Sequence, residues 1–224
     1  MMEFPLVSTI IPVFNGEKYL AAAIESVVGQ NYRPIQLIVI DDGSADNSAK
    51  VAKSFPGVEY HFQKHSGVAA ALNRGIAEAR GEFIAFLDAD DLWTEGKLQT
   101  QVDAFAQNPE LSMVLGKVEQ FRESGPDGAP VSLGIFNGYL KVTMLVRRSA
   151  LLQVGLFDTQ WKTGDFVDWY IRANELGLKS VVLPRVVARR RIHAANMGIW
   201  QRDTQKDYAR IMRSVLERRR KNGD

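Results

Sequence analysis

The sequence predicts an α/β fold in which a parallel sheet occupies the first half of the chain and a mixed sheet continues it. Four short apolar runs alternate with three helical patterns up to Leu87, in the order β-α-β-α-β-α-β. Two of these runs end abruptly in acidic residues. Strands joined by helical crossovers are parallel, so the first half is expected to be Rossmann-like.

Composition limits the classes of function. The chain has 224 residues, is 46% hydrophobic and 24% charged, and carries a net charge of +2. This balance suits one large globular unit and gives no general attraction for nucleic acid. The absence of cysteine excludes disulfides and thiolate metal sites. No apolar run approaches roughly 18 residues, and no signal-peptide pattern opens the chain, so a cytoplasmic location is expected.

In the first half, strands are predicted at 6–15, 36–40, 58–63 and 82–87, and helices at 17–29, 46–55 and 67–80. Pro12 has no N–H to donate and should mark the end of the first strand or a bulge. Asp46 is a candidate N-cap for the second helix. The first helix should bury one apolar stripe: Leu20, Ala23, Ile24, Val27 and Val28.

In the second half, strands are predicted at 113–122, 140–147 and 179–187, the last able to continue into Arg189–Arg191. Helices are predicted at 95–106, 149–154, 165–176 and 201–220, and 123–130 is predicted as a loop. The last helix carries a stripe that should face the protein: Tyr208, Ile211, Met212, Val215 and Leu216. These elements predict a mixed sheet fused to the first half.

The acidic strand ends are the chemical signal. The fourth run leads into Asp88-Ala89-Asp90-Asp91, and the second into Asp41-Asp42. In a parallel sheet both lie at the carboxyl edge, where ligands bind. Clustered carboxylates repel one another unless a cation lies between them, and a hard divalent ion carrying phosphate oxygens would serve. The alternatives are Asx-turns at Asp41 and Asp42 and a helix cap at Asp91. No Gly-x-Gly-x-x-Gly or P-loop motif is present.

Four motifs in this order resemble the family 2 glycosyltransferases with the GT-A fold. They are VSTIIPVFN at 7–15, IDDGS at 40–44, the segment from Gly67-Val68 to Asn73-Arg74-Gly75, and FLDADD at 86–91. Segments 147–151, 155–158 and 165–172 extend the resemblance to most of the chain. It implies a single domain over 1–224: a nucleotide-sugar half over 1–110, an acceptor half with its helices over 111–200, and a basic amphipathic helix over 201–224. It also implies inverting transfer of a sugar from a nucleotide diphosphate with Mg²⁺ or Mn²⁺.

The resemblance also implies site residues. Asp42 would bind the edge of the base with support from Asp41, which favours a uridine nucleotide. Asp88 would lie by the ribose, Asp90 would hold the metal, and His193 would join it. The family often has Arg where this chain has Leu72, so Arg74 or the 189–191 cluster would contact diphosphate instead. The full set of donor-binding candidates is Pro12, Phe14, Glu17, Asp41, Asp42, Asn73, Arg74, Asp88 and Arg191.

Asp165 is the candidate general base. Counting back from Arg172 places it where the family has Glu, while Phe166 stands where the family has Asp. An inverting transfer needs a carboxylate to take the proton of the acceptor hydroxyl. The exposed N–H groups of a helix start stabilise such a carboxylate. The alternative is that Asp165 is only an N-cap. Asp168 and Arg172, spaced i, i+4, are expected to form an ion pair.

The acceptor is not identified, and a saccharide, a lipid-linked sugar, a peptide or a small molecule all stay open. Trp161, Trp169 and Tyr170 are candidate platforms for a sugar, and 196–200 is a candidate lid. The last helix is expected to pack on the domain. A membrane-surface contact at the inner face and a homodimer interface are its alternatives.

Two other functions compete with the transferase. A sugar-phosphate nucleotidyltransferase would need a Gly-rich loop after the first strand, which residues 12–16 do not supply. A non-catalytic module binding a sugar nucleotide or a partner protein is favoured by the departures at Leu72 and Phe166.

Overall fold

The computed structural model describes residues 4–124, 129–193 and 203–222. Two sequence expectations fall partly or wholly outside these residues. The candidate lid at 196–200 lies outside them, as do residues 125–128 of the predicted loop.

The helices and strands follow the predicted order with shifted ends. The strands are β1 Val7–Val13, β2 Ile35–Asp41, β3 Val58–Phe62, β4 Phe83–Phe86, β5 Leu92–Trp93, β6 Met113–Glu123, β7 Pro130–Asn137, β8 Leu145–Arg147 and β9 Ser180–Arg191. The helices are α1 Leu20–Val28, α2 Ser48–Lys53, α3 Val68–Glu78, α4 Lys97–Gln107, α5 Arg148–Val154, α6 Asp165–Glu175 and α7 Asp203–Asn222. A 3₁₀ turn covers Lys141–Thr143.

The described strands form one mixed sheet with the order β3-β2-β1-β4-β8-β6-β9-β5, and β7 pairs with β6 at its edge. The first four strands are parallel, as predicted. β8 then pairs antiparallel with β4, which begins the mixed half. The predicted fold class is therefore confirmed. Pro12 lies one residue before the end of β1, opposite Ile40, which agrees with the expectation for a residue lacking an N–H.

The structure differs from the predictions in three places. Residues 130–137 form strand β7, which was not predicted, and they pair with β6 through a register shift at Gln120 and Phe121. Residues 141–143 turn as a 3₁₀ helix, although 140–147 was predicted as one strand. The short strand β5 was not predicted, and it forms because Leu92 and Trp93 pair with β9.

Two apolar layers cover the faces of the sheet, and the alternation of β1 divides its side chains between them. Ile11 faces the layer with α1 and α4, while Ile10 faces the layer with α3, α5 and α6. Val28 was predicted to be buried in the first layer, but it lies at the end of α1 and is exposed. Of the stripe on α7, only Ile211 and Val215 are buried, against Trp161. Tyr208, Met212 and Leu216 are exposed, which corrects that part of the prediction. No helix within residues 4–124, 129–193 and 203–222 is long and apolar enough to cross a bilayer.

A buried polar network fixes the 3₁₀ turn to α4. Trp93 donates its indole N–H to the Val142 carbonyl, 3.1 Å away. Lys97 and Gln101 donate to the Thr143 carbonyl at 3.3 and 2.8 Å. Lys97 is fully buried, its ammonium also contacts Gln101, and it lies over the Trp93 ring. Burial lowers the pKa of Lys97 well below its ordinary value.

Lys97→Met is expected to remove a pH-dependent part of the stability. Because the folded-state pKa is lowered, the unfolded chain binds more protons between that pKa and about 10.4. The free energy of unfolding contributed by Lys97 therefore rises with pH across this window. Urea unfolding at pH 7 and pH 10 should show wild type gaining on the methionine variant as pH rises. A difference that stays constant would mean that Lys97 is charged in the folded protein.

Candidate active site

A cavity of about 170 Å³ opens beside the carboxyl end of β4. Three acids from separate parts of the chain line it: Asp88 and Asp91 after β4, and Asp165 at the start of α6. The other lining residues are Tyr139, Leu140, Lys141, Val142, Gly164, Phe166, Val167, Arg190 and Tyr208. The acids that follow β4 and the candidate base Asp165 therefore line the same cavity.

The Asp88–Asp91 turn is held by the end of β9. The Arg191 backbone N–H donates to Asp91 at 2.8 Å, and its guanidinium donates to the Asp90 carbonyl at 3.0 Å and contacts Glu123. Burial raises the pKa of Asp91 well above its ordinary value, and repulsion from the Asp88 and Asp90 carboxylates raises it further. Asp91 thus anchors β9 and does not cap α4, which begins at Lys97. Arg191 is buried and braces this turn, and its predicted contact with the donor stays a prediction.

Asp90 and His193 meet as the resemblance implied. Nε2 of His193 lies 3.0 Å from Oδ2 of Asp90, and both side chains are partly exposed, at 21% and 30%. A carboxylate oxygen and an imidazole nitrogen are ligands that Mn²⁺ accepts, and Mg²⁺ favours the oxygen. Among the described residues no three metal-ligating side chains cluster. A two-ligand site fits an ion that completes its shell with phosphate oxygens and water.

Lys141 is a site residue that the sequence analysis missed. Its ammonium lies 3.5 Å from Asp165 and 3.8 Å from Asp88, and the side chain is 15% exposed. Burial alone would lower the pKa of Lys141, but Asp165 and Asp88 outweigh it and raise the pKa above its ordinary value. The 3₁₀ turn fixed to α4 carries this lysine. The predicted strand over 140–147 gave no sign of this role, because the direction of the Lys141 side chain is set by the 3₁₀ turn and not by the pleat of a strand.

Lys141→Met is expected to destabilise the protein by roughly 3 kcal/mol, because it leaves two carboxylates facing one another without their shared cation. Lys141→Arg should lose much less, since it keeps the charge. Equilibrium urea unfolding of the three proteins measures the difference. A change within about 0.5 kcal/mol in Lys141→Met would show that the lysine behaves as an ordinary surface residue.

Asp165 begins α6 directly after Gly164, whose φ of +82° suits glycine. The side chain is buried apart from its contact with the cavity and Lys141. Within the same helix Asp168 pairs with Arg172 at 2.9 Å, as predicted, and also with Arg218 of α7 at 3.5 Å. The candidate base and the ion pair therefore lie on one helix with different partners.

The end of β2 holds a second cluster with an aromatic platform. Phe14 stacks on His65 with ring centroids 4.2 Å apart. Asp42 accepts the Ser66 and Gly67 backbone N–H groups at 2.8 Å and contacts His65. Asp41 accepts from Ser44 and Tyr60. The Asp41 contact with Ser44 matches the alternative of a turn residue, and the base-binding role of Asp42 stays a prediction. His65, assigned nothing from sequence, is the second residue that was missed.

Three other predicted donor residues make internal contacts, and a fourth is buried. Asn73 clamps the Phe157 backbone, donating to its carbonyl at 2.8 Å and accepting its N–H at 3.0 Å. Arg74 pairs with Glu78, and Glu17 accepts from Asn47, the residue before α2. Pro12 is buried within β1. These contacts are not visible in the motifs, and the roles of the four residues in donor binding stay predictions.

Two of the three candidate sugar platforms are wrong, because both tryptophans are buried. Trp169 is fully buried, and its indole N–H donates to the Gly155 carbonyl. Trp161 is buried against α7. Tyr170 is half-buried and lies edge-on to Tyr139, which lines the cavity.

Comparison with known proteins identifies the family. The family model described as "Glycosyl transferase family 2" matches residues 8–156. The chain belongs to glycosyltransferase family 2. An uncharacterized glycosyltransferase of Rickettsia typhi is 30% identical over 213 residues, covering 85% of this chain and 65% of that relative. Glycosyltransferase GlyG of Streptococcus pneumoniae is 33% identical over 124 residues, covering 53% of this chain and 41% of GlyG. This family 2 chain thus spans less than two thirds of either relative.

Solved structures share the fold. TarS residues 1–349 of Staphylococcus aureus, in complex with UDP-GlcNAc, superposes with a TM-score of 0.77 at 20% identity, covering 93% of this chain and 65% of TarS. Mannosyltransferase PcManGT of Pyrobaculum calidifontis, in complex with GDP-Man and Mn²⁺, superposes with a TM-score of 0.73 at 18% identity, covering 96% of this chain and 65% of PcManGT. The GT-A fold of this family 2 chain is thereby confirmed.

Proposed function

We propose that this chain is an inverting, metal-assisted glycosyltransferase that moves a sugar from a nucleotide diphosphate to an acceptor hydroxyl. One observation carries the proposal. Asp88 and Asp165 face one cavity at the carboxyl edge of the sheet, and Asp90, which contacts His193, lies on the same turn as Asp88. Family membership and the nucleotide sugars bound by TarS and PcManGT support it.

The donor is proposed to lie along the carboxyl ends of β1, β2 and β4. Phe14 is 49% exposed and, stacked on His65, offers a flat surface to a nucleotide base. Asp42 adjoins this surface through its contact with His65, and a carboxylate that accepts from an imide N–H favours uracil. UDP-sugars are therefore the first donors to test, and GDP-sugars the second.

The acceptor is proposed to react beside Asp165. Asp165 takes the proton of the attacking hydroxyl, while the leaving diphosphate departs from the opposite face of the sugar. Lys141 holds the carboxylate oriented through its 3.5 Å contact. Asp90 and His193 would hold Mn²⁺ or Mg²⁺, and the ion would supply Lewis-acid stabilisation of the charge that grows on the diphosphate.

A non-catalytic module that binds a sugar nucleotide is the second candidate. The engagement of Asn73, Arg74 and Arg191 in internal contacts favours it, because these residues were expected to contact the donor. Lys141 and Arg190, which line the cavity, are the cations that a transferase would use in their place. A cytoplasmic location, a membrane-surface contact and a homodimer through α7 stay predictions.

Donor turnover separates the two candidates. The protein is incubated with Mn²⁺ and with UDP-glucose, UDP-galactose, UDP-GlcNAc or GDP-mannose, and release of the nucleoside diphosphate to water is measured. The transferase predicts slow hydrolysis of at least one donor, lost in Asp90→Asn and in Asp165→Asn. Asp103→Asn, at an exposed position on α4, is the matched control and should keep the wild-type rate. Donor binding without any turnover would favour the module.

A further inference from the structure

The C-terminal helix α7 forms one wall of the cavity that contains Asp165. Tyr208 of α7 lines this cavity together with Gly164 and Asp165. The family model ends at residue 156, so neither α6 nor α7 is assigned a part by it. The stripe on α7 was expected to be packed inside, yet Tyr208 is 46% exposed.

Contacts around Gly164 hold α7 in this place. Asp207 accepts the backbone N–H groups of Lys162 and Thr163 at 3.2 and 3.4 Å. A Cβ built on Gly164 would lie 2.7 Å from Ile211 and 3.3 Å from the Tyr208 ring, so only glycine lets α7 approach so closely. α7 is therefore packed against the residue that precedes the candidate base.

The lining beside Asp165 combines aromatic rings with carboxylates. Tyr139 enters from the segment before the 3₁₀ turn and is 51% exposed, and Tyr208 enters from α7. A sugar ring presents apolar C–H groups that pack on an aromatic face, and its hydroxyls bond to tyrosine O–H and carboxylate groups. An exposed aromatic wall beside a base suits a saccharide acceptor.

The charges of the cavity argue against an anionic acceptor. Three acids, Asp88, Asp91 and Asp165, line it against two cations, Lys141 and Arg190. Lys141 is already engaged by Asp165 and Asp88. A phosphate on the acceptor would have to compete with these carboxylates and with the donor diphosphate for Lys141 and Arg190, whereas a neutral sugar needs no cation.

We propose that Tyr208 binds the acceptor, that this acceptor is a saccharide, and that α7 is thereby part of the acceptor site. The inference rests on the proposed transferase function and adds its acceptor class. Tyr208 supplies a ring face to the sugar whose hydroxyl meets Asp165. Tyr139 supplies a second ring from another element of the fold.

The test measures acceptor-stimulated turnover. The probes are the methyl glycosides of glucose, galactose, mannose and N-acetylglucosamine, offered with the donor that wild type hydrolyses fastest, and decyl phosphate micelles represent a lipid phosphate. At least one glycoside is expected to raise the rate of donor turnover by the wild-type protein. Tyr208→Ala should raise the KM for that glycoside by about five- to tenfold, with a smaller change in kcat. Tyr208→Phe, which keeps the ring, should restore most of the affinity.

Controls keep the result specific to the cavity. Met212→Ala, one turn further along α7 and also exposed, should leave the KM for the glycoside unchanged. Tyr208→Leu keeps an apolar side chain against Gly164 and serves if Tyr208→Ala fails to fold, with the same rise in KM expected. An equal effect of Met212→Ala, or stimulation by decyl phosphate alone, overturns the inference. Donor hydrolysis that no glycoside stimulates overturns it but retains the proposed function, whereas the absence of all donor turnover overturns both.

Discussion

Asp165→Asn is expected to lower the rate of sugar transfer by roughly 10²–10⁴-fold, the contribution usual for a positioned general base. Asparagine has nearly the same shape but cannot take the proton of the acceptor hydroxyl. Asp165 is the carboxylate that begins α6, contacts Lys141 and faces the cavity. Donor affinity should change little, because Asp165 is proposed to act on the acceptor. Initial rates of transfer and calorimetric donor binding measure the two effects.

The catalytic role of Asp165 has to be separated from its structural role. Gly164 rather than Asp165 is the N-cap of α6, so the structural role of Asp165 is its ion pair with Lys141, and urea unfolding of the variant measures that role. Wild-type transfer by Asp165→Asn would contradict the base assignment. Asp103→Asn on α4 should keep full activity and controls for the general loss of a negative charge.

Asp90→Asn is expected to weaken metal-dependent donor binding by about 100-fold or more. Loss of residues that merely support metal ligands commonly costs 10–100-fold in affinity, and a ligand itself should cost at least as much. His193→Gln should cost less, because the carboxylate that carries the charge stays in place. Titration of Mn²⁺ by electron paramagnetic resonance, with and without UDP, measures the affinity directly.

His61→Gln is the matched control for the histidine. His61 is a partly buried histidine on β3 that lies 3.8 Å from Glu78. The His61→Gln substitution should leave the affinity for Mn²⁺ unchanged. An unaltered affinity in Asp90→Asn would mean that the ion, if bound, lies elsewhere, and the donor geometry proposed here would be wrong.

The sequence was most informative where one strand end decides the position of a residue. The apolar run of β4 and the acids after it predict an acidic edge of the sheet, because parallel strands place their carboxyl ends together. The pairing of Asp90 with His193 joins residues 103 positions apart, and it was predicted through the resemblance to a family. Nothing in the local pattern of either residue indicates the other.

The sequence was least informative where a contact depends on a side chain's direction. Arg191 was predicted to contact the donor, yet the pleat of β9 turns its guanidinium onto Asp90 and Glu123. Asn73 lies at a position on α3 from which its side-chain amide reaches the backbone of Phe157, 84 residues away. Such contacts follow from the packing of distant elements and leave no periodic signal along the chain.

Lys141 and Tyr208 illustrate a third limit. Lys141 was hidden because an apolar run was interpreted as one strand, although Trp93, Lys97 and Gln101 hold it as a turn. Tyr208 fits an amphipathic stripe, but α7 packs through Ile211 and Val215 and leaves Tyr208 facing the cavity. A helical period shows which residues share a face and does not show how much of that face is covered.

Calorimetric titration of UDP, GDP and TDP, each with and without Mn²⁺, tests the central claim most directly. The account predicts that UDP binds in the presence of Mn²⁺, that binding weakens without the ion, and that the metal-dependent part is lost in Asp90→Asn. Preference for GDP or TDP would keep the transferase and correct the proposed donor. Failure of every nucleotide to bind under either condition would contradict the account.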